Sequence, residues 1–80
     1  MVYVVEDWET VEEHAGHGQG YYQVFPRGKG MEVRIKVGTL GYKKNFEDPK
    51  DPLLERIMKF CGSNDYVEVK ENIWDEYFFK

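Results

Sequence analysis

The sequence predicts an α+β domain: a mainly antiparallel sheet of three to five strands, packed by one clear helix over residues 52–61, with a second short helix as an option. Three observations lead there. Residues 21–37, YYQVFPRGKGMEVRIKV, read as two strands folded back on each other. Within them MEVRIKV alternates apolar and charged residues, the pattern of a sheet with one wetter face. DPLLERIMKFCG places apolar residues at helical spacing between a capping aspartate and a glycine.

The elements follow in order. VYVV at 2–5 has the β-branched and aromatic makeup of a strand. WETVEEHA at 8–15 suits a short helix, with Thr10 and Glu13 spaced as a capping box. GHGQG at 16–20 ends it. Strands at 21–25 and 31–37 flank PRGKG, Gly38 and Gly41 bracket a second turn, and YKKNF at 42–46 makes a third strand. DPKDP is a stiff loop, with Asp51 as N-cap and Pro52 at the first helical position. Leu53, Leu54, Ile57, Met58 and Cys61 share one helical face, Glu55 and Lys59 pair on the other, and Gly62 is the expected stop. YVEVK at 66–70 alternates as a strand with Val67 and Val69 inward. ENIWDEYFFK at 71–80 fits a helix or an arm of a second hairpin, with helix favoured. The expected core is Val4, Tyr22, Val24, Val33, Ile35, Val37, Leu54, Ile57, Met58, Val67 and Val69.

Eighty residues make one domain, 1–80, with a small core. Cys61 is the only cysteine, so no intramolecular disulfide forms, and a reducing compartment is expected. No apolar run approaches the ~18–20 residues of a membrane span, and no leader pattern opens the chain. The expected location is the cytoplasm, or the host cytoplasm for a virus-encoded protein. The net charge of −4 is segregated. Glu6, Asp7, Glu9, Glu12 and Glu13 stand before residue 20 without a Lys or Arg. Arg27, Lys29, Arg34, Lys36, Lys43, Lys44 and Lys50 dominate 21–50, and acids prevail again after that. The ends either complement the middle internally or present faces of opposite sign to partners.

In the hairpin, Met31, Val33, Ile35 and Val37 form an apolar face, and Glu32, Arg34 and Lys36 the other. Gln23, the polar residue of the first strand, is expected to face water and to carry Tyr21 and Phe25 with it. Tyr21, Phe25, Arg34 and Lys36, with Arg27 and Lys29 at the tip and Lys43 and Lys44 beyond, would then suit stacking of bases and neutralisation of phosphates. The bland alternative covers the two rings and pairs Arg34 and Lys36 with Glu32 and other acids.

The order strand, strand, strand, helix across 21–61, GYYQVFPRGKGMEVRIKVG then YKKNF and the helix, resembles in outline AP2-type and phage integrase arm-binding domains. Those domains place a three-stranded sheet in the major groove, and the resemblance implies the same use here. It rests on spacing alone, and the longer loop after Phe46 and the acidic flanks depart from it.

His14 and His17, with Glu13 or Asp7, are weak candidates for a metal; no metal or cofactor is expected. The only serine, Ser63, falls in a turn, and Cys61 reads as an inert core thiol, so no enzyme activity is expected. In EDWETVEEH, Trp8 either anchors in a partner's pocket among Glu6, Asp7, Glu12 and Glu13 or packs into the domain's own core.

These readings favour a small acidic protein-binding module, regulatory or inhibitory. Its partner is expected to be another protein, met through acidic and aromatic surface, with a nucleic-acid-binding protein as one option. The alternative is direct DNA or RNA binding through the hairpin at 21–37. Homodimerisation through a sheet edge is compatible with both.

Overall fold

The computed structural model describes residues 3–14 and 19–70. Its elements are β1 (Tyr3–Val4), α1 (Trp8–Glu13), β2 (Gly20–Arg27), β3 (Gly30–Val37), β4 (Leu40–Phe46), α2 (Pro52–Ser63) and β5 (Val67–Glu68). The fold is α+β, with a five-stranded sheet in the order β1-β4-β3-β2-β5. The sheet is mixed, where the sequence predicted a mainly antiparallel one. β2, β3 and β4 form an antiparallel meander, but β1 runs parallel to β4 and β5 parallel to β2. Each edge strand returns after a long connection rather than a turn, so nothing forces it antiparallel.

The meander is built on two turns of the same chemistry. Gly28–Lys29 joins Arg27 to Gly30, and Gly38–Thr39 joins Val37 to Leu40. Gly28 (φ 62°) and Gly38 (φ 59°) take the left-handed conformation at the first central position, which a two-residue hairpin of the Gly-X kind requires. Pro26 and Arg27 therefore belong to β2 rather than to a loop, and Gly41 lies inside β4.

A two-residue turn closes on a hydrogen-bonded pair, and such pairs then recur at every second residue. On β2 the main-chain groups of Tyr21, Gln23, Phe25 and Arg27 therefore meet β3, while those of Tyr22, Val24 and Pro26 face outward. The Val69 N–H donates to the Tyr22 carbonyl at 2.7 Å, consistent with this phase. Pro26 sits where its missing N–H falls on the open side and costs no ladder bond.

Both helices cover the face carrying Val33, Ile35, Val37, Tyr42 and Phe46. Leu54, Ile57 and Cys61 of α2 and Trp8 and Val11 of α1 complete the core, with Tyr66. Tyr22, Val24 and Met58 pack against it half-buried. Val4 and Val67 depart from expectation, at 54% and 43% exposed. They stand on the two-residue strands at the two edges of the sheet, and Val69 is only half-buried.

α2 starts as its sequence dictates. The Asp51 carboxylate accepts from Leu53 N–H at 2.9 Å, and Pro52 occupies the first turn. It ends later than Gly62. Tyr66 N–H donates to the Cys61 carbonyl (3.0 Å) and Asp65 N–H to that of Gly62 (3.2 Å), a Schellman motif with Asp65 at φ 55°. The Tyr66 ring packs on Phe60 (centroids 5.6 Å), the apolar contact that accompanies this cap. Tyr66 therefore points inward in place of Val67. Glu55 and Lys59 approach to 3.8 Å across one exposed turn of α2. The expectation for 71–80 lies outside the described residues.

Candidate functional site: the acidic face of α1 and the opposite sheet face

α1 is capped by Asp7, not by Thr10. One carboxylate oxygen of Asp7 accepts from the Thr10 N–H (3.0 Å) and from the Thr10 hydroxyl (2.7 Å). The hydroxyl bond, more than the backbone one, holds the Asp7 carboxyl below the usual carboxylate range. Trp8 and Val11 are three positions apart and so share one helical face, which is turned into the core. Trp8 packs edge-on against Tyr42 (5.4 Å) and Phe60 (5.1 Å) and is 4% exposed. It is therefore part of the domain's own core and is not presented to a partner.

With that face locked inward, the acids must lie outward. Glu6, Glu9 and Glu13 are exposed, while Glu12 is half-buried and ion-paired with Arg56 of α2. Glu9, Glu12, Glu13 and Arg56 line one shallow hollow of about 320 Å³. Among the described residues, Glu9 and Glu13 have no ion-pair partner. Glu9 joins the face expected of Glu6, Asp7, Trp8, Glu12 and Glu13, and its helical spacing from Glu12 and Glu13 is the signal that places it there. Glu12 is ion-paired and Asp7 keeps its charge while capping α1; among the described residues Glu6, Glu9 and Glu13 are exposed without an ion-pair partner.

The other face of the sheet carries the basic and aromatic residues of the hairpin. Across it run the rows Tyr21–Lys36–Gly41, Gln23–Arg34–Lys43 and Phe25–Glu32–Asn45. Tyr21 and Phe25 do share the Gln23 face with the cations, but the face is not wet. Gln23 is 8% exposed, Arg34 7% and Glu32 4%. The cause lies partly within the face. Glu32 accepts from Arg34 Nε at 2.6 Å and from Arg27 Nη1 at 2.8 Å. The Arg34 guanidinium lies over the Phe25 ring at 5.1 Å. Phe25 and Tyr21 are half-buried, and so is Lys36. Tyr21 and Phe25 therefore present only part of their rings to solvent. Of the hairpin and β4 cations, Lys29 in the turn, Lys43 on β4 and Arg27, whose side chain is 59% exposed, stand open at this face, whereas Lys44, opposite Val33, projects from the helix-covered face with its ammonium 5.4 Å from the Phe46 ring centre.

His14 Nδ1 donates to the Thr10 carbonyl at 2.8 Å, which caps the end of α1. Among the described residues, no three His, Cys, Asp or Glu side chains gather as metal ligands, and His17 lies outside them. Cys61 is buried, and burial pushes its thiol up to about 12. Among the described residues no helix is long and apolar enough to cross a membrane.

No family model, curated protein or solved structure matches the chain. The outline shared with AP2-type and integrase arm-binding domains therefore carries no functional argument.

Proposed function

We propose that the protein is a binding module whose acidic α1 face engages a basic surface of another protein, in a regulatory or inhibitory role. The observation that carries this reading is the fixed outward display of Glu6, Glu9 and Glu13 beside a helix anchored by Trp8 and Val11. An exposed acidic array favours encounter with a surface of opposite sign and selects against acidic ones. Basic surfaces of this kind belong to nucleic-acid-binding proteins, which fits a module that competes with nucleic acid for its partner. No catalytic step enters this reading.

The test uses a panel of basic nucleic-acid-binding domains and the variant Glu9→Lys/Glu13→Lys. Both positions are exposed, so the melting temperature should hold while affinity falls by about tenfold or more. Binding that is indifferent to both reversals, or confined to acidic partners, removes the reading.

Direct nucleic-acid binding is the second reading, favoured by the exposed cations Arg27, Lys29 and Lys43. It would be electrostatic, with affinity falling steeply as salt rises. Titration with DNA and RNA at two salt concentrations separates the two; no binding at low salt ends the second.

A further inference from the structure

We propose that the sheet face turned away from both helices is a docking face, and that its occupant is residues 71–80 of the chain itself. This inference does not rest on the acidic face of α1.

Both helices lie over Val33, Ile35 and Val37. A sheet covered on one side leaves the opposite side chains to water. Here they are not left to water. Gln23, Glu32 and Arg34 are no more exposed than Tyr66 of the core. Their ion pairs and the Phe25 ring account for part of this. Tyr21, Gln23, Arg34, Lys36 and Lys43 each have a further hydrogen-bond, ionic, ring or electrostatic interaction besides those named above. Among the described residues, no helix or strand stacks on this face. The burial exists in the single chain, so the cover belongs to the chain and not to a partner.

Exposure across the face is graded. Its residues on β2 and β3 are buried or half-buried from Tyr21 to Phe25 and from Glu32 to Lys36, whereas Lys43 and Asn45 on β4 are exposed. The cover therefore sits toward the β2–β5 side. The described chain ends on that side: Val67 pairs with Tyr21, Val69 N–H donates to the Tyr22 carbonyl, and Lys70 follows. Residues 1–2 precede β1 at the opposite edge, and 15–18 join α1 to β2. Residues 71–80 are long enough. Even at helical rise they span ~15 Å, more than the ~10 Å from β2 across β3 to β4.

The chemistry of the segment matches the face. The register puts Arg27, Arg34, Lys36 and Lys43 on it with a single carboxylate, Glu32. That carboxylate is already shared between Arg27 and Arg34. The excess charge is positive, and 71–80 brings Glu71, Asp75 and Glu76 against Lys80. Ile73, Trp74, Tyr77 and Phe78 supply apolar surface for Tyr21, Phe25 and the half-buried Val69. Cations removed from water need both such carboxylates and such packing.

The experiment reads contacts in the full chain by NMR. Nuclear Overhauser effects should join the Trp74 indole and the Phe78 ring to Tyr21, Gln23, Phe25 or Arg34. Trp74→Ser combined with Phe78→Ser should speed exchange of the Arg34 Nε proton by about tenfold or more. Where that variant does not fold, the contacts in the unmodified chain decide. Contacts from Trp74 and Phe78 to α2, or to no residue of this face, overturn the proposal. So does an Arg34 Nε proton whose exchange is unchanged in the folded variant. So do shifts of Tyr21 and Phe25 when single-stranded oligothymidylate is added to the unmodified chain, which would give the face to nucleic acid.

Discussion

Glu32 and Arg34 lie two residues apart on β3 and bind each other within the same sheet face, Arg34 Nε donating to Glu32 Oε2 at 2.6 Å. Both are nearly free of solvent, at 4% and 7% exposure. A strand places such residues side by side with parallel side chains, so the contact needs no chain reversal. Arg27 closes the carboxylate from the other side.

Removing Glu32 leaves the Arg34 charge buried without the carboxylate it binds. Glu32→Ala should lower stability by ~3–5 kcal/mol, as for a buried pair broken on one side. Glu32→Ala combined with Arg34→Met should recover part of the loss. Urea unfolding measures both; a single-variant cost under ~1 kcal/mol would mean that the pair is effectively solvated.

The two glycines at 30 and 62 should respond in opposite directions. A Cβ on Gly30 would lie 1.8 Å from the Phe46 carbonyl oxygen, so Gly30→Ala must force β3 and β4 apart at their far end. Gly62 sits inside α2 with nothing within 4 Å, and Gly62→Ala should stabilise by ~0.5–1 kcal/mol. Thermal melts decide; a stabilised Gly30→Ala would contradict the observed register.

Asp65 holds a left-handed conformation at the end of α2. Glycine has no Cβ to oppose that conformation, so Asp65→Gly should raise stability by ~0.5–1 kcal/mol in chemical denaturation. A loss would show that the Asp65 side chain makes its own contribution there.

The Asp7 cap should give α1 a dependence on acid. The carboxyl pKa is lowered in the folded state, so its stabilisation is present above the unfolded carboxylate value of ~3.9. It fades as pH falls from there through the lowered folded value. Asp7→Asn keeps an acceptor oxygen without the titration, and amide exchange in α1 of that variant should be flatter across this acid range. An identical profile in both proteins would assign the acid response to other groups.

Cys61 should resist modification. With the thiol pushed up to about 12 and the side chain buried, almost no thiolate exists at neutral pH. Reaction with a disulfide reagent should follow global unfolding; a fast native reaction would place the residue at the surface.

Much of this fold was legible because its signals are local. Alternation marked β3, and Asp51 with Pro52 marked the start of α2; the glycines placed both turns but not their length, since PRGKG and Gly38–Gly41 each read longer than the two-residue reversals at Gly28–Lys29 and Gly38–Thr39. The two parallel edges were not legible. A short run such as VYVV reports strand propensity but not the partner or direction of pairing, which depend on contacts distant in sequence. Tyr42 and Phe46 were readable from the register opposite Ile35 and Met31, yet β4 carries too many polar residues to declare a face by itself. For the candidate site, Trp8 and Thr10 turned on the helix start, where a shift from Thr10 to Asp7 changes which side chains face inward. The closed state of Gln23, Glu32 and Arg34 had no sequence signature. Charged residues beside aromatic ones look the same whether they meet water or each other.

The two shortest possible reversals, at Gly28 and Gly38, have a kinetic consequence. Pairing between β2, β3 and β4 asks almost nothing in loop closure, so the meander can zip early. Joining Tyr3 to Leu40, or Tyr21 to Val67, instead requires closing much longer stretches of chain. The margins of the sheet should therefore assemble last and open first, while the three central strands persist as the slowest-exchanging unit of the molecule.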